Sequence, residues 1–396
     1  MQSLNDTPSA DRLHIGFYGK MNSGKSALIN AFAGQDISIV SEIAGTTTDP
    51  VLKPMEIHGL GACVLIDTPG FDDNTTLGEK RILTTRKAAD KTDIAVILFH
   101  DEDIEKEAEW YHYFRKKNTP VIAVLSKSDS LTDTAGRIEQ IEEAITIKPL
   151  VVSALTREGI EELKVSLIRS IPVDYEMPSL IRDLISEGEV CLLVMPQDLQ
   201  APKGRLILPQ VQTIRSLLDQ KCLVMSVTTD KLELALKALT EPPKLIITDS
   251  QVFKTVYDMK PEQSKLTSFS MLFAAYKGDI DYYRESAYAI DKLTEESKVL
   301  IAECCTHAPL EEDIGREKLP RMLRKKVGEA LQVEIVSGMD FPKDLTGYDL
   351  IIQCGACMFN RKYVMSRLDR AKEQQIPMSN YGVAIAYLGG ILDKVE

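Results

Sequence analysis

Residues 19–26 read Gly19-Lys20-Met21-Asn22-Ser23-Gly24-Lys25-Ser26, the spacing G-x-x-x-x-G-K-S/T. A loop of this kind turns its backbone amides toward phosphate oxygens, and a helix starting at its end adds partial positive charge. Lys25 is placed to reach β- and γ-phosphates, and the Ser26 hydroxyl to hold Mg²⁺. Asn22, Ser23, Gly24 and Ala27 complete the phosphate-binding segment. A second set of reactive residues lies far downstream, at Cys305-Thr306-His307 and Cys354-Gly355-Ala356-Cys357. Cys354-x-x-Cys357 is a compact chelate, and Cys305 supplies a third thiolate.

Three further turns follow strand-like runs in the first part of the chain. Asp67-Thr68-Pro69-Gly70 follows an apolar stretch. Asp67 there suits an aspartate that orients Mg²⁺ through water, and the Gly70 amide can meet a γ-phosphate. In the polar loop 44–49, a threonine completes the Mg²⁺ shell. Thr47 is favoured, with Thr46 and Thr48 as rivals. Ser126-Lys127-Ser128-Asp129 offers a carboxylate to both guanine donors, N1–H and the 2-amino group, which adenine lacks. Lys127 would lie over the base, and the Ser153-Ala154 turn would bring the Ala154 amide to O6.

The elements that must hold these turns alternate. Strands are predicted over 13–18, 62–66, 94–99, 121–126 and 149–152, with helices between them, as over 78–91 and 104–117. That order predicts an α/β fold with a mostly parallel sheet. The two prolines in 170–178 close this block. Strands over 189–195, 222–227 and 244–248, separated by helices over 208–220 and 231–239, form a second α/β block without a phosphate loop. Strands over 298–303, 333–336 and 348–353 belong to a third. The expected fold is therefore a P-loop GTPase domain (1–173) followed by two further α/β domains, 178–262 and 263–396.

Composition narrows the class. A net charge of −12 without a basic run argues against nucleic acid as a partner. No apolar run is long enough to span a bilayer, and the first residues lack a signal-peptide core, so a cytoplasmic location is expected. In a reducing compartment the seven cysteines are expected as thiols, with Cys63, Cys191 and Cys222 as buried small hydrophobes. The downstream cysteines follow predicted strands, where α/β folds build sites. Their spacing fits zinc with His307 as fourth ligand as well as a [4Fe–4S] cluster. Cys304 stands apart, because strand alternation turns it away from Cys305.

The four turns resemble the GTPase motifs of the Era/TrmE-type, translation-factor-like class over roughly the first 170 residues. That class usually has Asn where Ser126 stands. A serine cannot bridge the base and the phosphate loop in the same way, so weaker, faster-exchanging nucleotide is expected. Phe71 replaces a water-orienting glutamine. In the class, a hydrophobic residue there goes with a K⁺ ion held near an Asn in the phosphate loop, here Asn22.

The whole arrangement resembles the [FeFe]-hydrogenase maturation GTPases (HydF). This resemblance implies a [4Fe–4S] cluster on Cys305, Cys354 and Cys357, a middle block that forms a homodimer, and a scaffold or carrier role for a two-iron precursor. It also implies two radical-SAM maturases and apo-hydrogenase as partners, GTP/GDP with Mg²⁺ as cofactors, and slow GTP hydrolysis. Gln353 replaces the family's second histidine, which leaves His307, Glu303 or solvent as fourth cluster ligand. The competing expectation is a tRNA-modification or ribosome-assembly GTPase with a zinc-stabilised tail.

Overall fold

The strands Leu13–Tyr18 (β1) and Ile94–Phe99 (β4) are buried at every position. Near-continuous apolar strands of this kind occur where helices cover both faces of a parallel sheet. The computed structural model describes residues 9–33, 50–57, 59–71, 76–172, 179–196, 206–304 and 314–396. The chain divides into two units, 1–176 and 177–396.

In the first unit, β1 and β4 join Val51–Ile57 (β2), Gly61–Asp67 (β3), Val121–Ser126 (β5) and Leu150–Val152 (β6) in the order β2-β3-β1-β4-β5-β6. All neighbours are parallel except β2 and β3. Helices Lys25–Ala33 (α1), Thr76–Ala89 (α2), Glu105–Lys116 (α3), Thr134–Ile145 (α4) and Ile160–Arg169 (α5) connect the strands. One apolar core lies under α1 and α5, with Leu28, Ile29, Leu163 and Leu167 against Ile15 and Val96. Another holds Phe99, Tyr111, Phe114 and Ile141. Strand β2 was not anticipated. Its sequence, Val-Leu-Lys-Pro-Met-Glu-Ile, alternates in burial and carries Pro54, which an edge strand tolerates.

The second unit holds two four-stranded, fully parallel sheets. One is built from Val190–Val194 (β7), Leu223–Val227 (β8), Leu245–Thr248 (β9) and Lys265–Ser268 (β10), in the order β10-β9-β7-β8. The other is built from Lys298–Ala302 (β11), Gln332–Val336 (β12), Leu350–Gln353 (β13) and Met378–Asn380 (β14), in the order β12-β11-β13-β14. The helices are Leu208–Asp219 (α6), Leu232–Ala238 (α7), Phe253–Met259 (α8), Phe269–Lys277 (α9), Ile280–Ala287 (α10), Leu319–Val327 (α11), Arg361–Glu373 (α12) and Tyr381–Leu388 (α13).

Helix α9 packs Phe269, Leu272 and Phe273 onto Cys191 and Leu193 of β7. The second sheet with its cover thus runs past residue 262, through β10 and α9. A single apolar core then joins the two sheets, drawing Leu192, Ile246 and Leu266 together with Leu300, Ile351 and Val383. Among the described residues, no helix is long and apolar enough to cross a membrane.

Candidate functional site

The phosphate loop leaves β1 and enters α1. Asn22 (φ 59°) and Gly24 (φ 93°) both take left-handed backbone, which curls the loop into a concave ring of amides. Lys25 is buried and folds its ammonium back into that ring, donating to the carbonyls of Gly19 (3.0 Å) and Lys20 (2.7 Å). The Ser26 hydroxyl donates to Asp67 Oδ2 at 2.6 Å. The two groups expected on either side of Mg²⁺ thus meet across the loop, at the adjacent ends of α1 and β3. Such a hydroxyl–carboxylate pair is a hard oxygen set suited to Mg²⁺. Thr46, Thr47 and Thr48 lie outside the described residues.

The base side forms at the ends of β5 and β6. A cleft of about 640 Å³ is lined by Gly24, Ala27, Ser126, Lys127, Asp129 and Ala154 among others, a size and position usual for small-molecule sites in parallel sheets. Ser153, fully buried, donates its hydroxyl to Asp129 Oδ1 and accepts the Thr156 amide. This holds one carboxylate oxygen and leaves the other for a ligand. Ser126 differs from expectation. Its hydroxyl does reach the phosphate loop, donating to the Ser23 carbonyl at 2.7 Å. A single hydroxyl has no second polar group to extend toward a base, so only the loop half of an asparagine's bridge is kept.

Phe71, one residue past Gly70, is buried on α3. Its ring stacks on Trp110, with centroids 5.7 Å apart, and Trp110 stacks in turn on Tyr18. On the other flank, Lys20 of the phosphate loop is buried against α3, with Nζ 3.6 Å from Glu107 and 3.1 Å from Asp103. Burial pushes the Glu107 carboxyl up to about 7, in spite of the Lys20 ammonium beside it. Neither link had a sequence signal, because both depend on the packing of α3.

Cys354 and Cys357 sit in the loop between β13 and α12. Cys354 and Cys357 are half-buried, whereas Cys63, Cys191, Cys222 and Cys304 are fully buried. Between the two partly exposed thiols the chain turns through Ala356, which takes φ 53°. Lys277, at the end of α9 and wholly buried, donates to the carbonyls of Ala356 (3.3 Å), Cys357 (3.2 Å) and Phe359 (2.8 Å). Asn380 donates to the carbonyls of Gln353 (3.2 Å) and Cys354 (3.3 Å).

Cys304, which strand alternation had set aside, abuts this loop. Its amide donates to Cys354 Sγ at 3.1 Å. A hydrogen bond from the Cys304 thiol holds the Cys354 thiol below its ordinary range, against burial. Burial drives the Cys304 thiol itself well up.

A thiol shifted toward its charged form, an amide aimed at sulfur and two half-buried cysteines in one short loop suit a soft metal centre. Among the described residues, no three His, Cys, Asp or Glu side chains are grouped to hold a metal. Cys305 and His307 lie outside those residues. Glu303 is occupied already, accepting from Ser337 (3.1 Å), Arg316 (3.4 Å) and Tyr381 (3.4 Å). Gln353 is buried with its Oε1 unpartnered. No local signal marks Lys277 or Cys304, since one ends an apolar helix and strand alternation turns the other away from Cys305.

Comparison with known proteins decides the family. Residues 281–395 match the profile described as the Hydrogen maturase F tetramerization domain, and residues 180–278 match the Hydrogen maturase F dimerization domain. Together the two cover more than half of the chain. The chain belongs to the hydrogen maturase F family. Both oligomerisation domains of the family are therefore present, and the Cys354–Cys357 loop falls in the second.

In this family member, residues 14–127 match a profile described as 50S ribosome-binding GTPase. The tRNA modification GTPase MnmE of Chromobacterium violaceum is 36% identical over 162 residues, 40% of this chain and 35% of the relative. GTPase Der of Campylobacter hominis is 35% identical over 150 residues, 37% of this chain and 32% of the relative. The chain spans about a third of the length of these curated relatives. Among solved structures, Era of Aquifex aeolicus is 19% identical with a TM-score of 0.36, covering 54% of this chain and 92% of that one.

Proposed function

We propose that this chain is a cytoplasmic GTP-hydrolysing scaffold or carrier in [FeFe]-hydrogenase maturation. The supporting observation is the joint presence of the two hydrogen maturase F oligomerisation domains, a GTPase domain and a loop with two half-buried cysteines. On this reading, 1–173 forms the nucleotide domain, the segment from 178 through β10 and α9 the homodimer contact, and the remainder to 396 the cluster-binding domain.

Lys25 would leave the loop carbonyls for the β- and γ-phosphates. Ser26, Asp67 and Thr47 would hold Mg²⁺, Gly70 would meet the γ-phosphate, and Asp129 with Lys127 and Ala154 would select guanine. Phe71 is sequestered on Trp110 and cannot position water, which supports slow hydrolysis and a K⁺ site at Asn22. Cys305, Cys354 and Cys357 would hold a [4Fe–4S] cluster, which supplies an iron able to take a bridging ligand. His307 is the favoured fourth ligand, since the Glu303 carboxylate already accepts three hydrogen bonds. The cargo is a two-iron precursor received from radical-SAM maturases and handed to apo-hydrogenase.

The test is anaerobic purification followed by iron and sulfide analysis and electron paramagnetic resonance, on the wild type and on Cys354→Ser. About four irons per chain in the wild type, with the signal lost in the variant, is expected. Zinc in colourless protein would refute the cluster assignment. GTP turnover compared in K⁺ and Na⁺ checks Asn22, and equal rates would remove the potassium site.

A further inference from the structure

Arg367 on α12 is among the largest fully buried side chains, with 1% of its surface exposed. Its guanidinium lies among three rings, 4.9 Å from the Phe341 centroid, 5.1 Å from Phe359 and 4.8 Å from Tyr363. One terminal nitrogen donates to the Gly338 carbonyl and approaches the Tyr363 hydroxyl at 3.5 Å. The other points at Cys304 Sγ, 3.8 Å away. Its Nε finds no hydrogen-bond partner, and among the described residues no carboxylate pairs with it.

A permanently charged group removed from water is costly unless an anion meets it, and none of the described residues supplies one to Arg367. The aromatic faces offset only part of that. Among the described residues, the nearby group that can carry negative charge is the Cys354 sulfur, reached through Cys304, whose own thiol touches the guanidinium and faces Cys354. Tyr283 adds a second unused donor. Its hydroxyl is buried and without a partner, within electrostatic range of both Cys304 and Cys354. A buried cation and an idle hydroxyl facing one group of thiols make an environment complete only when that group is anionic.

We propose that Arg367 is the buried counter-charge of an anionic metal–thiolate centre at the Cys354–Cys357 loop, acting through Cys304 to hold the centre's reduced, more negative state. This rests on the cluster-binding reading above. It makes Arg367 a positioning and tuning residue, not a ligand, and Cys304 the link between them.

The test uses the full chain, reconstituted anaerobically with iron and sulfide, as wild type, Arg367→Met, Arg367→Gln and Arg367→Lys. Iron per chain and the midpoint potential by redox titration under electron paramagnetic resonance are read together. Both neutral variants are expected to retain iron while the reduced state loses at least tenfold in population at a given potential, a drop of about 59 mV for one electron. Arg367→Lys, which keeps the charge, is expected to recover most of the shift. Gln can still donate to the Gly338 carbonyl, so it covers the case in which Met does not fold. Iron-loaded neutral variants that change less than threefold would overturn the inference and leave the cluster reading standing. Failure of both neutral variants to fold as apo-protein would overturn it in favour of a purely structural arginine. Wild type that takes up no iron would overturn the reading beneath it.

Discussion

Replacing Lys277 by Met tests whether the cysteine loop is held from α9. The substitution keeps the apolar stem and removes three donors. The ammonium makes hydrogen bonds of 3.3, 3.2 and 2.8 Å to carbonyls of residues 356, 357 and 359, with no exposure to solvent. Hydrogen bonds to a charged group contribute about 1.5–3 kcal/mol each, and the relieved cost of burying the charge offsets about half of their sum. A net loss of about 3 kcal/mol follows. For a unit of this size that corresponds to a fall in Tm of roughly 6–12 °C for the C-terminal unit's transition. The assay is thermal unfolding of apo-protein, with alkylation of Cys357 followed in parallel. The loop should loosen before the unit melts, so Cys357 labelling should accelerate well below the new midpoint. A loss under about 1 kcal/mol with unchanged labelling would refute the claim that Lys277 organises the loop.

Ser153→Ala should weaken GDP binding about tenfold, near 1.4 kcal/mol, by freeing Asp129 from its orienting hydroxyl; unchanged affinity in a fluorescent-GDP titration would reject that role. Trp110 is the chain's single tryptophan and stacks on Phe71 beside Gly70. Its emission should therefore differ between GDP and a non-hydrolysable GTP analogue, and Phe71→Leu should abolish the difference. His14 is held at about 4 by burial, against an ordinary value of 6.5, so the unfolded chain binds the extra proton between those values. Its contribution is whole above pH 6.5 and falls with pH, by about 2 kcal/mol at pH 5. Glu107, raised to about 7, works in the opposite sense as pH drops. The check is thus the gap between wild type and His14→Gln in urea unfolding at pH 7 and pH 5, and a constant gap would contradict the assignment.

Legibility in the sequence followed the distance over which each signal acts. Strand β4 is an unbroken apolar run and β1 and β5 are nearly so, and all three could be read within a residue or so. The phosphate loop and the Asp67 and Asp129 turns are local patterns whose geometry follows from spacing, and the structure brings Ser26 to Asp67 and Asp129 to Ser153. Strands β10 and β14 escaped because four and three residues carry no period. Lys277, Cys304 and Arg367 escaped for another reason. Each has deciding partners at least 29 residues away along the chain, and nothing local marks a buried cation as different from an exposed one. Ser126 was half legible: its size predicted the lost reach to a base, while its bond to Ser23 depends on how closely β5 approaches the loop.

The core shared by the two C-terminal sheets has a consequence for how that unit can be divided. Leu192, Ile246 and Leu266 share one apolar core with Leu300 and Ile351, joined through helix residues such as Met271, Tyr283 and Val383, and interiors packed at native density transmit strain. Severing the chain near residue 279 would leave two halves with bare oily flanks, neither fit to stand alone. The family's dimer-forming segment and the sulfur-bearing turn thus sit in one packed body, with Cys357 against the cluster that α9 forms with the first of the two sheets.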